Sequence, residues 1–470
     1  MLNRLRAPPR PAAAVPDSPL GARSVFTVGQ RWALFAAFTL LVALRLPDAW
    51  THGRFQDEEA TVFLAYAWHH PWLDALFRPF AGYWNLGANA STVLVAELVK
   101  GGVVSLERAP YITMTIGLAF QVLPGVLILT GKAQWLANRL AVVVALLMIA
   151  IMPATSEVSF NVLHIQFHLA LCTGIILALD VPDSRLARAS YQLLLFLAPL
   201  CGPGAIVLLP FFALRAFLDR DTGRAWQFGV LAVGAALQLL IFYGPSPVRG
   251  HPLNPALIPA VMLVRMIALP AVGIQLGNRV AMTIVDSLLE GGVLVWLASA
   301  ATVALFAALV WKAAQRRDAA VWLVLSGLSI SAVTFGVGMA TLNPLSAFNI
   351  QGGERYNFLP LVLVGLALLV LAMRTEFRRS IFAALCLLML ITGAYHYQLP
   401  LEDFAHGPSW PDEVRAWRAD HNHPLAVWPR PWVADLSDEA QECLPPGPDP
   451  AHSTQPRYCE SGWLAGFYRM

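Results

Sequence analysis

The chain has little charge and almost no lysine. Asp, Glu, Lys and Arg make up 13% of its 470 residues, where an ordinary soluble domain carries about 25%. Only three of the 32 basic residues are Lys (Lys100, Lys132 and Lys312), and Arg supplies the rest. Five cysteines are too few for a disulfide-stapled scaffold of this length. The net charge of +3 leaves no basic excess to attract nucleic acid. What the chain has is apolar surface, with 57% hydrophobic residues and a mean hydropathy of +0.58. These features exclude a soluble enzyme, a disordered chain and a coiled coil. They point to an all-α polytopic membrane protein. The Arg-for-Lys bias, with abundant Ala, Leu and Pro, fits a GC-rich bacterial genome and hence a bacterial inner (plasma) membrane.

Residues 1–30 are rich in Pro, Ala and Arg, contain no apolar run, and read as a disordered cytoplasmic leader. A spanning helix needs about 17–25 apolar residues. Segments near that length fall at 31–47, 110–131, 137–153, 161–179, 224–243, 291–311, 319–341, 357–373 and 379–397, which makes about nine transmembrane helices. A tenth apolar region, 190–218, is broken by Cys201-Gly202-Pro203-Gly204 and flanked by Arg on both sides. Positive charge at both ends puts them on one side of the membrane, so this region reads as a re-entrant helical hairpin.

The short loops that are inside when the N-terminus is cytoplasmic hold 18 of the 32 Lys and Arg, which sets the orientation. Residues 31–397 form the transmembrane domain, including a long outer loop at 48–109. Residues 398–470 form a small extracytoplasmic α+β tail. Within it, Ser409-Trp-Pro411-Asp-Glu starts a helix, and Leu425-Ala-Val-Trp428 reads as a strand that helps cap the outer face. Cys443 and Cys459 lie in this oxidising segment and are expected to form a disulfide. Of the 29 acids, 22 fall outside, an asymmetry that topology does not require.

The outer segments carry the chemistry. Asp57-Glu58-Glu59 open a stretch whose apolar residues at 62, 63, 66 and 67 follow helical spacing. It reads as one surface helix, with a second near 84–104. On such a helix Glu59 lies about 200° from Asp57 and should tolerate Gln. The simpler reading is that the acids only favour a helix N-terminus. Glu157 is the single charge of the next outer segment. Asn161, His164 and His168 follow at i, i+3, i+7, the spacing of one helix face. They read as the polar wall of a cavity, with the two histidines as candidate ligands for a divalent metal, against a simpler role in interhelical hydrogen bonding. The segment 244–290 carries Arg249, Arg265 and Arg279 and an apolar helix near 256–270. The loop 342–356 ends in Gln351-Gly-Gly-Glu354-Arg355-Tyr356 at the mouth of a span. There a planar guanidinium suits phosphate oxygens, although Arg and Tyr also serve as interfacial anchors.

This arrangement resembles the GT-C superfamily of integral-membrane glycosyltransferases, which includes lipid-A aminoarabinose transferases and protein mannosyltransferases. The resemblance covers roughly 31–397. It rests on Asp57-Glu58-Glu59-Ala60 soon after the first span, two surface helices, and Glu354-Arg355-Tyr356 before a late span. It implies a polyprenyl-phosphate-linked sugar donor, a glycan, lipid or protein acceptor, and chemistry at the extracytoplasmic face. The chain has one acid more than the family's usual Asp-Glu-Ala, so the general base falls to Asp57 or Glu58. Glu157, Asn161, His164, His168, Glu354, Arg355 and Tyr356 are the expected substrate-binding residues. A transporter or flippase, or a non-catalytic assembly partner, are the rival readings. A transporter would share the broken hairpin, but it would also place ionisable residues mid-span.

Overall fold

The computed structural model describes residues 25–242, 254–339, 344–374 and 380–437. Cys443, Cys459 and Arg249 lie outside them. The described chain is mostly helical, and its strands form only two short hairpins, Pro79–Phe80 with Tyr83–Trp84 and Leu425–Ala426 with Val433–Ala434. Among the described residues seven helices are long and apolar enough to cross a membrane. They are Leu106–Thr130, Thr222–Ile241, Pro255–Leu289, Leu294–Ala314, Ala319–Gly338, Arg355–Met373 and Ile381–Gln398. Val28–Ala43, Arg139–Ile151 and Ile165–Ala178 are shorter apolar helices. This is the architecture of an all-α multi-pass membrane protein.

Arg355–Met373 is the hub. It is apolar on every side, and every residue from Asn357 to Ala372 is buried, as a helix enclosed by other helices must be. Small residues let its neighbours approach. Gly174 of Ile165–Ala178 faces Leu363, and Gly327 of Ala319–Val333 faces Val364. Gly365 of the hub itself receives Met148 and Met389.

Arginines cap the bundle at its two ends, and of these Arg45 and Arg224 are buried. At one end Arg45 donates to the carbonyls of Ala150 (3.0 Å) and Met152 (3.4 Å). At the other, Arg215 and Arg224 donate to the carbonyls of Leu177, Ile176 and Leu179 at the C-terminal end of Ile165–Ala178. Arg374 there pairs with Asp318 at 2.6 Å.

The region broken at Gly202 forms a helical hairpin. Arg185–Cys201 ends at Gly202, a 3₁₀ turn spans Pro203–Leu208, and Leu209–Asp219 returns until Arg215 reaches Leu177 beside the starting end. A second hairpin lies in Pro255–Leu289. Gly273, at φ +78°, bends the chain so far that Gly277 lies against the backbone of Leu269. Ser299 donates to the Ala256 carbonyl, and Gly292 donates to the Ser287 carbonyl. Both ends of this hairpin therefore meet the same end of the Leu294–Ala314 helix.

The second helix expected in the first loop is present as Leu86–Lys100, but the first departs from a surface helix. Glu59–Leu64 is a π-helical turn followed by Ala65–His69, and Ala60, Phe63 and Leu64 are buried rather than laid on a surface. The tail supplies their cover. Phe55, Ala60, Leu64, Val95 and Leu106 of the loop share a second, separate core with Trp410, Val414, Leu425 and Leu436. Trp410 Nε1 donates to the Leu106 carbonyl at 2.8 Å and fixes the Trp410–Ala419 helix on the loop. Asn89 is also structural, for its amide donates to the carbonyls of Leu76 (3.0 Å) and Arg78 (2.8 Å).

Candidate functional site

The site lies where the two cores meet. On the bundle side two backbone turns are locked reciprocally. The Glu354 carboxylate accepts from the N–H groups of Ser156 (2.9 Å) and Glu157 (3.4 Å). The Glu157 carboxylate accepts from the Arg355 N–H (2.8 Å) and pairs with the Arg355 guanidinium. That guanidinium stands 4.9 Å over the Tyr356 ring. Burial, with the charge of Glu157, pushes Glu354 up to about 7 against the pull of Arg45. Arg265, itself fully buried, shapes the preceding loop by donating to the carbonyls of Ala347 (2.7 Å), Gly352 (2.9 Å) and Asn349 and to Asn357 Oδ1 (3.0 Å).

On the loop side Asp57 holds a left-handed conformation, φ 41°, outside any helix. A tail residue keeps it there. Asp57 N–H donates to the Trp428 carbonyl at 2.6 Å, and Trp428 N–H donates back to Phe55 at 3.1 Å. The Trp428 ring is anchored by its own N–H on Pro408 (2.8 Å), and Arg54 lies over it at 5.8 Å. The Gln56 amide donates to Asp57 Oδ2 at 3.1 Å. Burial first, then the charges of Glu58 and Glu157, push the Asp57 carboxyl up to about 8, with Arg355 and Gln56 opposing. A carboxyl raised this far can take up or give up a proton close to physiological pH. Glu58, half-exposed, is the next residue and precedes the π-helical turn.

Two expectations are corrected. Glu59 does not point to solvent. It is fully buried and accepts from the N–H groups of Gln56 (3.0 Å) and Val162 (3.4 Å), and burial raises it to about 7. Asn161 and His164 share no helix face with His168, because the helix begins only at Ile165. Asn161 instead ties the turn, donating to the carbonyls of Glu157 (2.9 Å) and Ser159 (3.1 Å) and accepting from His164 N–H (2.9 Å). His168 Nε2 is bonded to the Val158 carbonyl (3.0 Å), and its ring packs 5.1 Å from Phe358. Among the described residues no three His, Cys, Asp or Glu side chains gather as a metal site would need.

The structure thus joins Asp57, Glu58, Glu157, Glu354, Arg355 and Tyr356, and makes Asn161 and His168 supports behind them. Sequence reading missed Arg45, Arg54, Tyr83, Gln166 and Trp428 as parts of the site. Arg45 and Arg54, charges flanking the first outer turn, were the visible signals. An apolar groove of about 640 Å³, lined in part by Leu94, Arg108, Tyr111 and Ile116, lies on another face of the 109–121 helix. The helix turns Thr113, Met114 and Gly117 inward to the site side. Compared with known proteins, the chain matches no family model, no curated protein and no solved structure.

Proposed function

We propose that the chain is a membrane glycosyltransferase of GT-C type in a bacterial inner membrane. It moves a sugar from a polyprenyl-phosphate donor to a hydroxyl acceptor at the extracytoplasmic face. In this reading nine helices cross the membrane, both hairpins begin and end on one side, and the N-terminus is cytoplasmic. The observation that carries the reading is Asp57. It is a buried carboxyl, raised to about 8, within electrostatic reach of Arg355 at one end of an apolar bundle.

In the reaction the acceptor oxygen forms a bond to the anomeric carbon. Its proton passes to the ionised Asp57 carboxylate, the strongest base of the cluster by its raised pKa. The bond from the anomeric carbon to the phosphate oxygen breaks, and the phosphate leaves with the electron pair. Arg355 faces the charge that develops there, held in orientation by Glu157. The desolvated setting strengthens that contact. Purified protein incubated with a panel of polyprenyl-phosphate sugars tests the reading: release of polyprenyl phosphate with a glycosylated product supports it. Movement of the intact lipid-linked sugar across proteoliposomes, without product, would support a flippase, which the two hairpins broken at Gly202 and Gly273 also suit.

A further inference from the structure

Around the buried acids runs a rim of half-exposed side chains that the transfer chemistry does not use. Tyr83, Gln166, Phe167 and Tyr356 are each half-buried, while Asp57, Glu157, His164 and Glu354 behind them are buried. They come from three distant parts of the chain: the Tyr83–Trp84 strand of the first loop, the start of Ile165–Ala178 and the start of Arg355–Met373. Gln166 Nε2 meets Tyr83 Oη at 3.2 Å, and Phe167 meets Tyr356 edge-on at 6.2 Å. Tyr83 lies within electrostatic reach of Tyr356, Glu58 and Arg355. Gln166 also fits under the tip of the first hairpin, where a Cβ on Gly202 would overlap its carboxamide oxygen.

We infer that Tyr83, Gln166 and Tyr356 form the subsite for the ring of the transferred sugar, with Tyr83 and Gln166 reading its hydroxyls. This rests on the transferase reading. A sugar ring has a C–H face that packs on aromatic rings and hydroxyl edges that need partners. A tyrosine hydroxyl and a glutamine carboxamide each donate and accept, so the pair can exchange the bond between them for hydroxyls of either polarity. The bond between them is near the long end of the normal range, so the exchange costs little. Charge narrows the substrate class. Among the described residues of the rim the cation is Arg355, already paired with Glu157, and Glu58 adds a negative charge. The subsite therefore takes an uncharged sugar in preference to a uronic acid.

The test compares donors that differ by one hydroxyl, using the full-length protein in detergent or nanodiscs. Wild type, Tyr83→Phe and Gln166→Ala are assayed with neutral polyprenyl-phosphate sugars, their single-deoxy analogues and a uronate donor. The substitutions are small and lie at half-exposed positions. The preference for the parent sugar over one deoxy analogue, measured as a ratio of kcat/KM, should fall about ten-fold in either variant, the worth of one neutral hydrogen bond. Gly202→Ala, which touches no substrate, should displace Gln166 and reproduce the Gln166→Ala ratio. Unchanged ratios in both Tyr83→Phe and Gln166→Ala, with transfer intact, would overturn the subsite while leaving the transferase reading standing. A wild-type preference for the uronate would also overturn it. Wild-type protein that transfers from no donor would overturn the transferase reading, and the subsite with it.

Discussion

Around the Arg355–Met373 helix the cover is other apolar helices, and small residues set the spacing. In the second core the apolar residues come from 55–109 and 410–436, more than 300 positions apart, and polar anchors fix them. The Trp410 and Trp428 ring N–H groups each bond a backbone carbonyl, and Trp428 also pairs with the main chain at Phe55 and Asp57. Inside the bundle the contacts are apolar side chains of fitting shape, with arginines at its ends. The smaller core needs particular partners. The site draws on both, because Asp57 hangs from the small core while Glu157, Glu354 and Arg355 hang from the bundle. It is therefore expected to fail whenever either core shifts.

The largest expected effect comes from removing the base without disturbing either core. Asp57→Asn keeps the shape and should cost about 10²–10⁴-fold in kcat with donor affinity little changed, measured by steady-state transfer and donor binding. Next, Trp428→Ala should separate the two cores. Loss of this fully buried side chain costs about 3–5 kcal/mol and should open the loop–tail core first. Limited proteolysis should then cut within 399–437 while helical circular dichroism is kept, and transfer should be lost. Simultaneous loss of both cores would contradict their separate construction. Glu59→Gln weakens the buried acceptor of two backbone N–H groups and should lower loop stability by about 1–3 kcal/mol, read as earlier proteolysis of 48–109. On the bundle side Arg355→Lys keeps the charge but loses the planar fork, so donor affinity should fall about ten-fold, against a larger fall in Arg355→Ala. Wild-type donor affinity in Arg355→Ala would remove Arg355 from the phosphate.

The bundle was legible because hydropathy and flanking arginines act locally. The hairpin at Gly202 followed from the charges around 185–224, and Glu354-Arg355 stood out at a helix mouth. The loop–tail core was not legible. Its pairing depends on Trp428 finding Phe55 and Asp57 across the whole chain, and no periodicity in 48–109 announces a partner. The spacing of Asn161, His164 and His168 misled for a local reason: the Asn161 side chain bonds the His164 N–H, competing with the backbone and holding the first turn out of the helix. Glu59 was misplaced because Asp57 takes a left-handed conformation, which breaks the helical phase on which the 200° separation depends.

The central claim is that Asp57 takes the acceptor proton, and the pH dependence of transfer tests it most directly. A base must be ionised to act, so kcat/KM should rise with pH and level off above a midpoint near 8, the value to which burial and the neighbouring acids raise the free carboxyl. Asp57→Asn should lose that limb along with most of the rate. A wild-type profile that rises to its plateau in the ordinary carboxylate range near pH 4, or an Asp57→Asn protein that keeps both rate and limb, would contradict the claim.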